Sequence, residues 1–376
     1  MNKKDLAEIR RHLNFERGSV TCIRGCYVAG DGKVISSFDK PMQALQRDEA
    51  EKFLAIFRRT LSGEPGQNLI DVDFSPEMVM NDERHRLLRE LRDTALRRDE
   101  AVEEIFRNII SSVHFDDNFL VLMIHDGYDV PFRGEDGERD DERSDEVFRC
   151  VLCAVCPVKP TKPALAYCRD GEFHSRETDW VVSAPALGFM FPAFEERTCN
   201  IYAALLYTRD TGDANEEFVS RIFGTEPSMP ADTQKQTFGE LLERSLGEEC
   251  SLEAVQAVQD MVKERTEEAK KDRRAEPLVF SALDVRDALL DGGVSMEKAE
   301  AFTSAYEEEF GPRTVLSAAN VAPKKQFEVE TPAVSIRVDP ERSDLVETRV
   351  IDGHSYILIR ADESVTVNGV PVMIQG

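Results

Sequence analysis

The sequence predicts an α+β fold, with a mixed α/β core, peripheral helices and a C-terminal antiparallel β-hairpin region. Apolar residues recur at helical spacing in several segments, and short apolar runs typical of buried strands stand between those segments. Residues 326–374 alternate like a small antiparallel sheet. Because strands and helices do not alternate regularly, the pattern does not favour a doubly wound parallel sheet.

Helix and hairpin signals occupy the first part of the chain. The spacing of apolar residues predicts helices over 3–14 and 48–61. Two β-rich runs around Gly30-Asp31-Gly32 predict a hairpin over 20–38. Ser75 precedes Pro76 and Glu77, which is typical of a helix start because Ser caps the first turn and Pro fits inside it. A helical pattern then runs through 82–112, as one helix or as two in series.

Strand and helix signals follow each other in the middle of the chain. The apolar run 118–124 predicts a buried strand, and a charged, glycine-containing loop over 132–146 separates it from a strand at Val147–Val158. Further strands are predicted near 163–168, 186–191 and 198–208. Capping residues Asp213, Thr233 and Ser251 predict helices over 214–223, over 233–246 and up to about residue 273.

A shift of composition at Ala275-Glu276-Pro277 predicts a domain boundary. The expected domains are a mixed α/β core over 1–275 and a helix pair followed by a small β region over 276–376. Ser281 and Ser295 stand where they can cap the two helices. Asp352-Gly353 and Asn368-Gly369 each separate two strand-like runs, and both dipeptides accept the positive φ angles of a type I′ turn.

The charge balance limits the classes of partner. The 376 residues include 72 Asp or Glu against 47 Lys or Arg, which gives a formal charge of −25. Such a charge repels phosphate backbones and anionic lipids, so the composition disfavours nucleic acid and membranes while leaving room for an unknown protein partner. No segment reaches the ~18 apolar residues of a membrane helix, and the first residues lack the apolar region of an export signal. We therefore expect a cytoplasmic protein with reduced cysteines.

Cys150, Cys153 and Cys156 resemble the start of an iron–sulfur ligand run. They lie in a strand-like sequence, in which side chains alternate between the two faces. Cys150 and Cys156 would then share one face and Cys153 would point to the other, so three thiolates could not converge on one metal. We expect these residues to pack as small apolar side chains, without a cluster or zinc.

The polar segment from His125 to Asp129 is the main candidate for a catalytic or metal site. It follows the predicted buried strand, at the end of which α/β sites are commonly built. His125, Asp126 and Asp129 could serve as acid and base, and Asp126 and Asp129 with Asp116 could bind Mg²⁺ or Mn²⁺. The alternative is a polar turn in which the Asp side chains bond nearby amides. The sequence points to no other cofactor.

Six arginines lie within residues 84–98. On a continuous helix Arg86, Arg89 and Arg97 would share a face, which could contact phosphate groups. Glu90 and Asp93 lie among them, so a salt-bridged, solvated face is the alternative.

Several segments resemble a family of bacterial cytosolic proteins known as a domain of unknown function, of the Firmicutes type. The segments are MNKKDLAEIRR, RGCYV, LVLMIHDGYDVP, CAVCPVKPTKPALAY, LGFMFPAFEER and DGHSYILI. This resemblance implies no activity, cofactor or catalytic residue. The order of the elements is also similar to that of bacterial nucleoid-associated proteins.

Three functional hypotheses follow from these observations. The sequence lacks the P-loop, the G-x-G-x-x-G motif, the zinc-protease motif and the serine-hydrolase elbow, which favours a non-enzymatic binding or regulatory protein. A metal-assisted hydrolase built on Asp126, Asp129 and His125 is the first alternative. A nucleoid or nucleic-acid-associated protein that uses the arginine-rich segment is the second.

Overall fold

A computed structural model of the chain describes all residues except 17, 134–138, 168–169, 272–277, 323–326, 340–341, 343–344, 362–364, 368–369 and 373–376. The predicted α+β class is confirmed, because helices accompany antiparallel sheets and hairpins. The chain forms two compact units, Met1–Ala231 and Asp232–Gly376. The composition shift at 275–277, where we expected a boundary, lies outside the described residues.

The first unit combines helices with one large sheet. Its helices are α1 (Lys3–His12), α2 (Arg47–Thr60), α3 (Pro76–Asn81), α4 (Glu83–Asp93), α5 (Asp99–Ile110) and α6 (Glu216–Ile222), and a 3₁₀ turn lies at Met42–Ala44. Its strands are β1 (Cys22–Val28), β2 (Val34–Pro41), β3 (Leu69–Asp73), β4 (Phe119–Arg133), β5 (Arg139–Pro160), β6 (Ala164–Tyr167), β7 (Phe173–Arg176), β8 (Trp180–Val182), β9 (Leu187–Phe191), β10 (Ala193–Glu195), β11 (Thr198–Asn200) and β12 (Ala203–Thr208).

The large sheet is covered by helices on both faces. Its strand order is β2-β1-β4-β5-β9-β12-β3, with β8 paired to the end of β5, and neighbouring strands are antiparallel. Leu6 of α1 and Phe57 of α2 belong to the core on one face, which we call the α1–α2 face. Leu91 of α4 and Ile105 of α5 belong to the core on the other, the α4–α5 face. No helix in the described ranges is long and apolar enough to cross a membrane.

Local signals place the helices of this unit. Asn2 and Asp5 form a capping box at the start of α1, and the Ser75 Oγ accepts a hydrogen bond from the Met78 amide at the start of α3. The helical pattern over 82–112 is two helices in series. They separate because Ala95 and Leu96 adopt left-handed φ angles of 50° and 58°, and the turn buries Leu96.

The loop predicted over 132–146 is largely replaced by strand. β4 extends to Arg133 and β5 begins at Arg139, and the two long strands pair antiparallel up to these residues. Backbone pairing is independent of side-chain polarity, and this explains why a charged sequence continues the ladder. The register shifts near Pro131, which has no N–H to donate.

The second unit has its own apolar core. Its helices are α7 (Ala231–Leu246), α8 (Leu252–Lys271), α9 (Ala282–Asp291), α10 (Met296–Phe310) and α11 (Ala318–Val321), and a 3₁₀ turn lies at Gly247–Glu249. Its strands are β13 (Val279–Phe280), β14 (Leu316–Ser317), β15 (Phe327–Thr331), β16 (Val334–Val338), β17 (Val346–Ile351), β18 (His354–Ile359), β19 (Val365–Val367) and β20 (Val370–Val372). Phe302 and Leu289 lie in this core, and the capping box predicted at Ser281 is present.

The predicted hairpin at Asp352-Gly353 is confirmed. β17 and β18 pair with Ile351 opposite His354, and Asp352 and Gly353 have φ angles of 53° and 79°. These values suit a type I′ turn. The second predicted turn, Asn368-Gly369, lies outside the described residues.

Replacing Gly353 by valine should weaken this hairpin. A β-carbon there would meet no atom within 4 Å, so the cost is the backbone strain of a β-branched residue at positive φ, ~1–2 kcal/mol. Amide hydrogen exchange in β17 and β18 should accelerate in Gly353→Val and stay near the wild-type rate in Asp352→Asn, since Asn tolerates this conformation. Unchanged protection in the valine variant would contradict the turn assignment.

His85 of α4 should make the first unit sensitive to acid. It is fully buried between Phe74 and Phe191, with Nε2 2.9 Å from the Ile201 carbonyl and no partner for Nδ1 among the described residues. Burial lowers its pKa below the ordinary 6.5, against the opposing effect of the Ile201 carbonyl.

As pH falls, the His85 imidazole therefore takes up a proton more readily in the unfolded chain than in the folded chain. Stability should be fully present above about pH 6.5 and should fall as pH drops toward the lowered pKa, by up to about 1.4 kcal/mol per pH unit. Urea unfolding of the wild type and of His85→Phe between pH 7 and pH 5 measures this slope, which should be shallower in the variant. Parallel curves would contradict the assignment.

Candidate functional site

The segment from His125 to Asp129 continues β4, and the expectation of a polar turn at the end of the strand is wrong. His125 lies opposite Val151 of β5, and Asp126 lies opposite Cys150. The ladder carries on because its bonds join backbone groups, whatever side chains they bear. Since side chains alternate along a strand, His125 and Asp126 point to opposite faces of the sheet.

Asp126 lies on the α1–α2 face and is engaged there. Its side chain is buried, and its Oδ1 accepts hydrogen bonds from the Ser19 amide and the Ser19 Oγ, both at 3.1 Å. The Nε2 atom of His12 lies 3.2 Å from Oδ2, without the alignment of a hydrogen bond. Ser19 therefore bonds to Asp126 and not to His12, which leaves no nucleophile–base pair in this group.

Further contacts connect the residues around Asp126 to one another and to the sheet. The Tyr128 ring packs 4.4 Å from the His12 ring, and its hydroxyl donates to Glu8 at 2.7 Å. Arg197 forms an ion pair with Glu8 and donates to the Pro131 carbonyl. This network joins α1, β4 and the turn after β10, and we interpret its role as holding these three elements together.

The acids proposed as metal ligands are not brought together. Asp129 is exposed on the His125 side of β4, whereas Asp126 is buried on the other side. Asp116 is exposed before the start of β4, where it lines a cleft of about 570 Å³ beside the β1–β2 turn. Across the described parts of the chain, no group of three or more His, Cys, Asp or Glu residues is arranged to hold a metal ion.

His125 lies on the α4–α5 face with an unusual set of neighbours. The residue is half-buried, and its Nε2 atom is fully buried without a hydrogen-bond partner in the described structure. Burial lowers its pKa, and the charges of Arg149, Arg97 and Arg92 lower it further, against the opposing charge of Asp126. The imidazole is therefore neutral near pH 7 and lies within electrostatic reach of three guanidinium groups.

Two of these arginines have no carboxylate partner among the described residues. Arg149 lies opposite Gly127 in the β4–β5 ladder and so shares the His125 face, and Arg97 lies in the connection between α4 and α5. Both are exposed, and neither guanidinium group has an ion-pair or hydrogen-bond partner among the residues that the structure describes. We call His125, Arg97 and Arg149 the basic site.

The other arginines near the basic site are neutralised by carboxylates. Arg92 pairs with Asp93 at 2.6 Å. Arg24 of β1 pairs with Asp99 at 2.5 Å and with Asp39 at 3.3 Å. Of the three arginines whose charges act on His125, only Arg97 and Arg149 therefore lack a carboxylate partner in the described structure.

The structure separates the predicted row of arginines. Arg86 and Arg89 are exposed on α4, and Arg86 pairs with Glu83 at 3.5 Å. Arg97 does not continue their face, because α4 ends at Asp93 and the left-handed residues Ala95 and Leu96 redirect the chain. The charge of Arg97 acts on His125 instead, so the two sequence candidates are coupled electrostatically.

The cysteine triplet alternates as predicted. Cys150 and Cys156 lie in the core of the α1–α2 face, and Cys153 lies in the core of the α4–α5 face. All three are buried, and burial raises the pKa of each thiol. They are packed as unreactive apolar groups.

Sequence reasoning missed Arg149, Ser19 and His12. Arg149 precedes Cys150, so the alternation already used for the cysteines would have placed it on the opposite face to Cys150. It would not have placed His125 there as well, because the strand was expected to end before that residue. No pattern pairs Ser19 with Asp126, which is 107 positions away.

Comparison with known proteins gives one match. A family model described as a domain of unknown function (DUF4317) matches residues 1–370. No curated protein and no solved structure matches the chain.

Truncating Asp126 should destabilise the first unit far more than truncating Asp129. Asp126→Ala removes a buried carboxylate that accepts from the Ser19 amide and opens a cavity, which we expect to cost ~2–4 kcal/mol. Asp129→Ala removes an exposed carboxylate from the same strand and should change stability by less than about 0.5 kcal/mol. Urea unfolding measures both, and equal costs would contradict the separation of the two side chains.

Proposed function

We propose that this chain, which belongs to the DUF4317 family over residues 1–370, is a non-enzymatic protein that binds an anionic ligand at the basic site. One observation carries the proposal. Two exposed guanidinium groups without carboxylate partners in the described structure lie within electrostatic reach of an imidazole whose Nε2 is buried and unpaired.

The local electrostatics support an anion as the ligand. A chain with a formal charge of −25 has carboxylates in excess, yet in the described structure none of them pairs with Arg97 or Arg149. The positive charges of the guanidinium groups repel a proton on His125. A bound anion relieves that repulsion and offers the charge-assisted hydrogen bonds that arginine forms with planar or tetrahedral oxyanions.

The surroundings of the basic site support binding over catalysis. The carboxylate next in sequence to His125 is Asp126, which lies on the opposite face and is bonded to Ser19. A metal-assisted hydrolase would require Asp126 and Asp129 to reach one cation, but their side chains lie on opposite faces of the sheet. A protein partner, a bacterial source and a cytoplasmic location stay predictions from the sequence.

Anion binding can be tested with a pair of matched double variants. Arg97→Gln/Arg149→Gln removes both unpaired charges of the basic site. Arg86→Gln/Arg89→Gln removes two exposed positive charges from α4 and serves as the control, because both proteins then have the same net charge. Thermal unfolding would be followed with sodium phosphate and with sodium malonate, at constant ionic strength set by sodium chloride.

The wild type and the α4 control should be stabilised by at least one of the two anions. At about 100 times the dissociation constant the stabilisation should approach ~2.7 kcal/mol, which corresponds to a few degrees in Tm. The basic-site variant should lose this response. Equal responses in all three proteins, or no response in the wild type, would refute the proposal.

A further inference from the structure

The β6–β7 hairpin of the first unit has one apolar face and one small, polar face. Its register places Leu165 opposite Ser175 and Tyr167 opposite Phe173, and residues opposite each other in an antiparallel pair lie on the same face. Leu165, Tyr167 and Phe173 therefore share a face, and they are 73%, 68% and 67% exposed. The other face carries Ala164, Ala166, His174 and Arg176.

β8 adds exposed apolar residues beside this hairpin. Trp180, Val181 and Val182 are all exposed, and Trp180 is the single tryptophan of the chain. The Asp179 amide donates to the Thr161 Oγ1 at 3.0 Å, and the Thr161 amide donates to the Asp179 carbonyl at 2.7 Å. These two bonds hold the start of β8 beside the segment that leads into β6. We call β6, β7 and β8 the arm.

The apolar face of the hairpin is uncovered. Among the described strands, β6 and β7 pair only with each other, and every residue in them is exposed except Ala166, which is half-buried. A two-stranded hairpin is at best marginally stable in water unless a further strand or a packed face supports it. Large exposed apolar patches mark interaction surfaces. The face is therefore suited to a second apolar surface.

The charges around the arm favour a second copy of the chain as that surface. A formal charge of −25 makes two copies repel each other over most of their surfaces. Residues 159–182 carry no net charge, because four basic residues are matched by four acidic ones: Lys159, Lys162, Arg169 and Arg176 against Asp170, Glu172, Glu177 and Asp179. Arg176 pairs with Asp179 at 2.9 Å, so part of this balance is made within one copy. Two copies can meet here without opposing like charges.

The apolar area of the arm is of the size that a weak dimer buries. Covering the exposed parts of Tyr167, Phe173 and Trp180 would remove roughly 300–450 Å² per copy, since an aromatic side chain buries 150–250 Å² when fully covered. Leu165 and Val181 add to this area. Stable interfaces bury ~800 Å² per partner and weak ones less than about 600 Å².

We infer that the chain forms a weak two-fold dimer through the arm. The apolar face of the β6–β7 hairpin packs against the same face of a second copy, and Trp180 lies in the contact. A two-fold axis brings the same patch of both copies together, so one apolar, charge-balanced surface serves both sides. This association does not involve the basic site.

Matched charge variants test which face of the hairpin makes the contact. Ser175→Glu adds a negative charge to the apolar face, and two-fold packing would bring the two added charges close together. Ala164→Glu adds the same charge to the other face of the same hairpin and is the control. Both residues are exposed, so neither change disturbs a core.

Sedimentation velocity of the full chain over roughly 1 to 100 μM would measure the association, since interfaces of modest size commonly have micromolar affinity. We expect the wild type and Ala164→Glu to change from monomer to dimer within this range. Ser175→Glu should dimerise at least about tenfold more weakly, because like charges set against each other in an interface are unfavourable. The fluorescence of Trp180 should shift to shorter wavelength as the wild type and the control dimerise.

A second variant tests the apolar contact without a change of charge. Leu165→Ser/Phe173→Ser should weaken the dimer at least about tenfold, because large apolar side chains at the centre of an interface provide most of its binding energy. Val350→Ser/Ile359→Ser removes two exposed apolar side chains from β17 and β18 and should dimerise as the wild type does. Far-UV circular dichroism verifies folding of each variant.

The outcomes that overturn the inference are distinct. A wild type that stays monomeric throughout the concentration range overturns it, as does a dimer that survives both Ser175→Glu and Leu165→Ser/Phe173→Ser or forms without a shift of the Trp180 emission. Phosphatidylcholine vesicles test the other apolar surface that the arm could meet. A monomeric wild type whose Trp180 emission shifts when these vesicles are added would assign the arm to a lipid surface and overturn the dimer.

Discussion

The backbone pairing of β4 with its two neighbours is the constraint on which the first unit depends. β4 pairs with β1 from Phe119 to Ile124 and with β5 along its whole length. A ladder of this kind fixes each side chain to one face, because a shift by one residue would exchange the two faces. Leu122 and Met123 thereby enter different cores, and both are fully buried.

The same pairing decides what the polar end of β4 can do. In a turn, His125 and Asp126 could have cooperated as an acid–base pair or as metal ligands. In a strand they are adjacent in sequence and separated by the thickness of the sheet. Asp126 then contributes to the support beneath the sheet, through Ser19 and His12, while His125 faces the arginines on the other side. One position along the chain thus separates a structural carboxylate from the imidazole of the basic site.

Most elements could be predicted from the sequence because their signals are local. The apolar run 118–124, the cap at Ser75 and the Asp352-Gly353 turn each depend on neighbouring residues, and the structure contains all three. The extension of β4 could not be predicted in this way. A polar residue in a strand is stabilised by partners that are distant in sequence, and Asp126 obtains them from Ser19. The basic site has the same origin, since Arg97 reaches it only because Ala95 and Leu96 turn the chain at positive φ angles.

The net charge of the chain and the charges of the basic site act on an anion at different distances. The field of a chain with a formal charge of −25 repels an approaching anion, so steering does not assist capture here. Close to the surface, the contacts that we propose with Arg97 and Arg149 would outweigh that field, because direct hydrogen bonds act at about 3 Å whereas the screening length is about 8 Å at physiological salt. Salt consequently has two opposed effects: it screens the long-range repulsion and it competes with the ligand for the guanidinium groups.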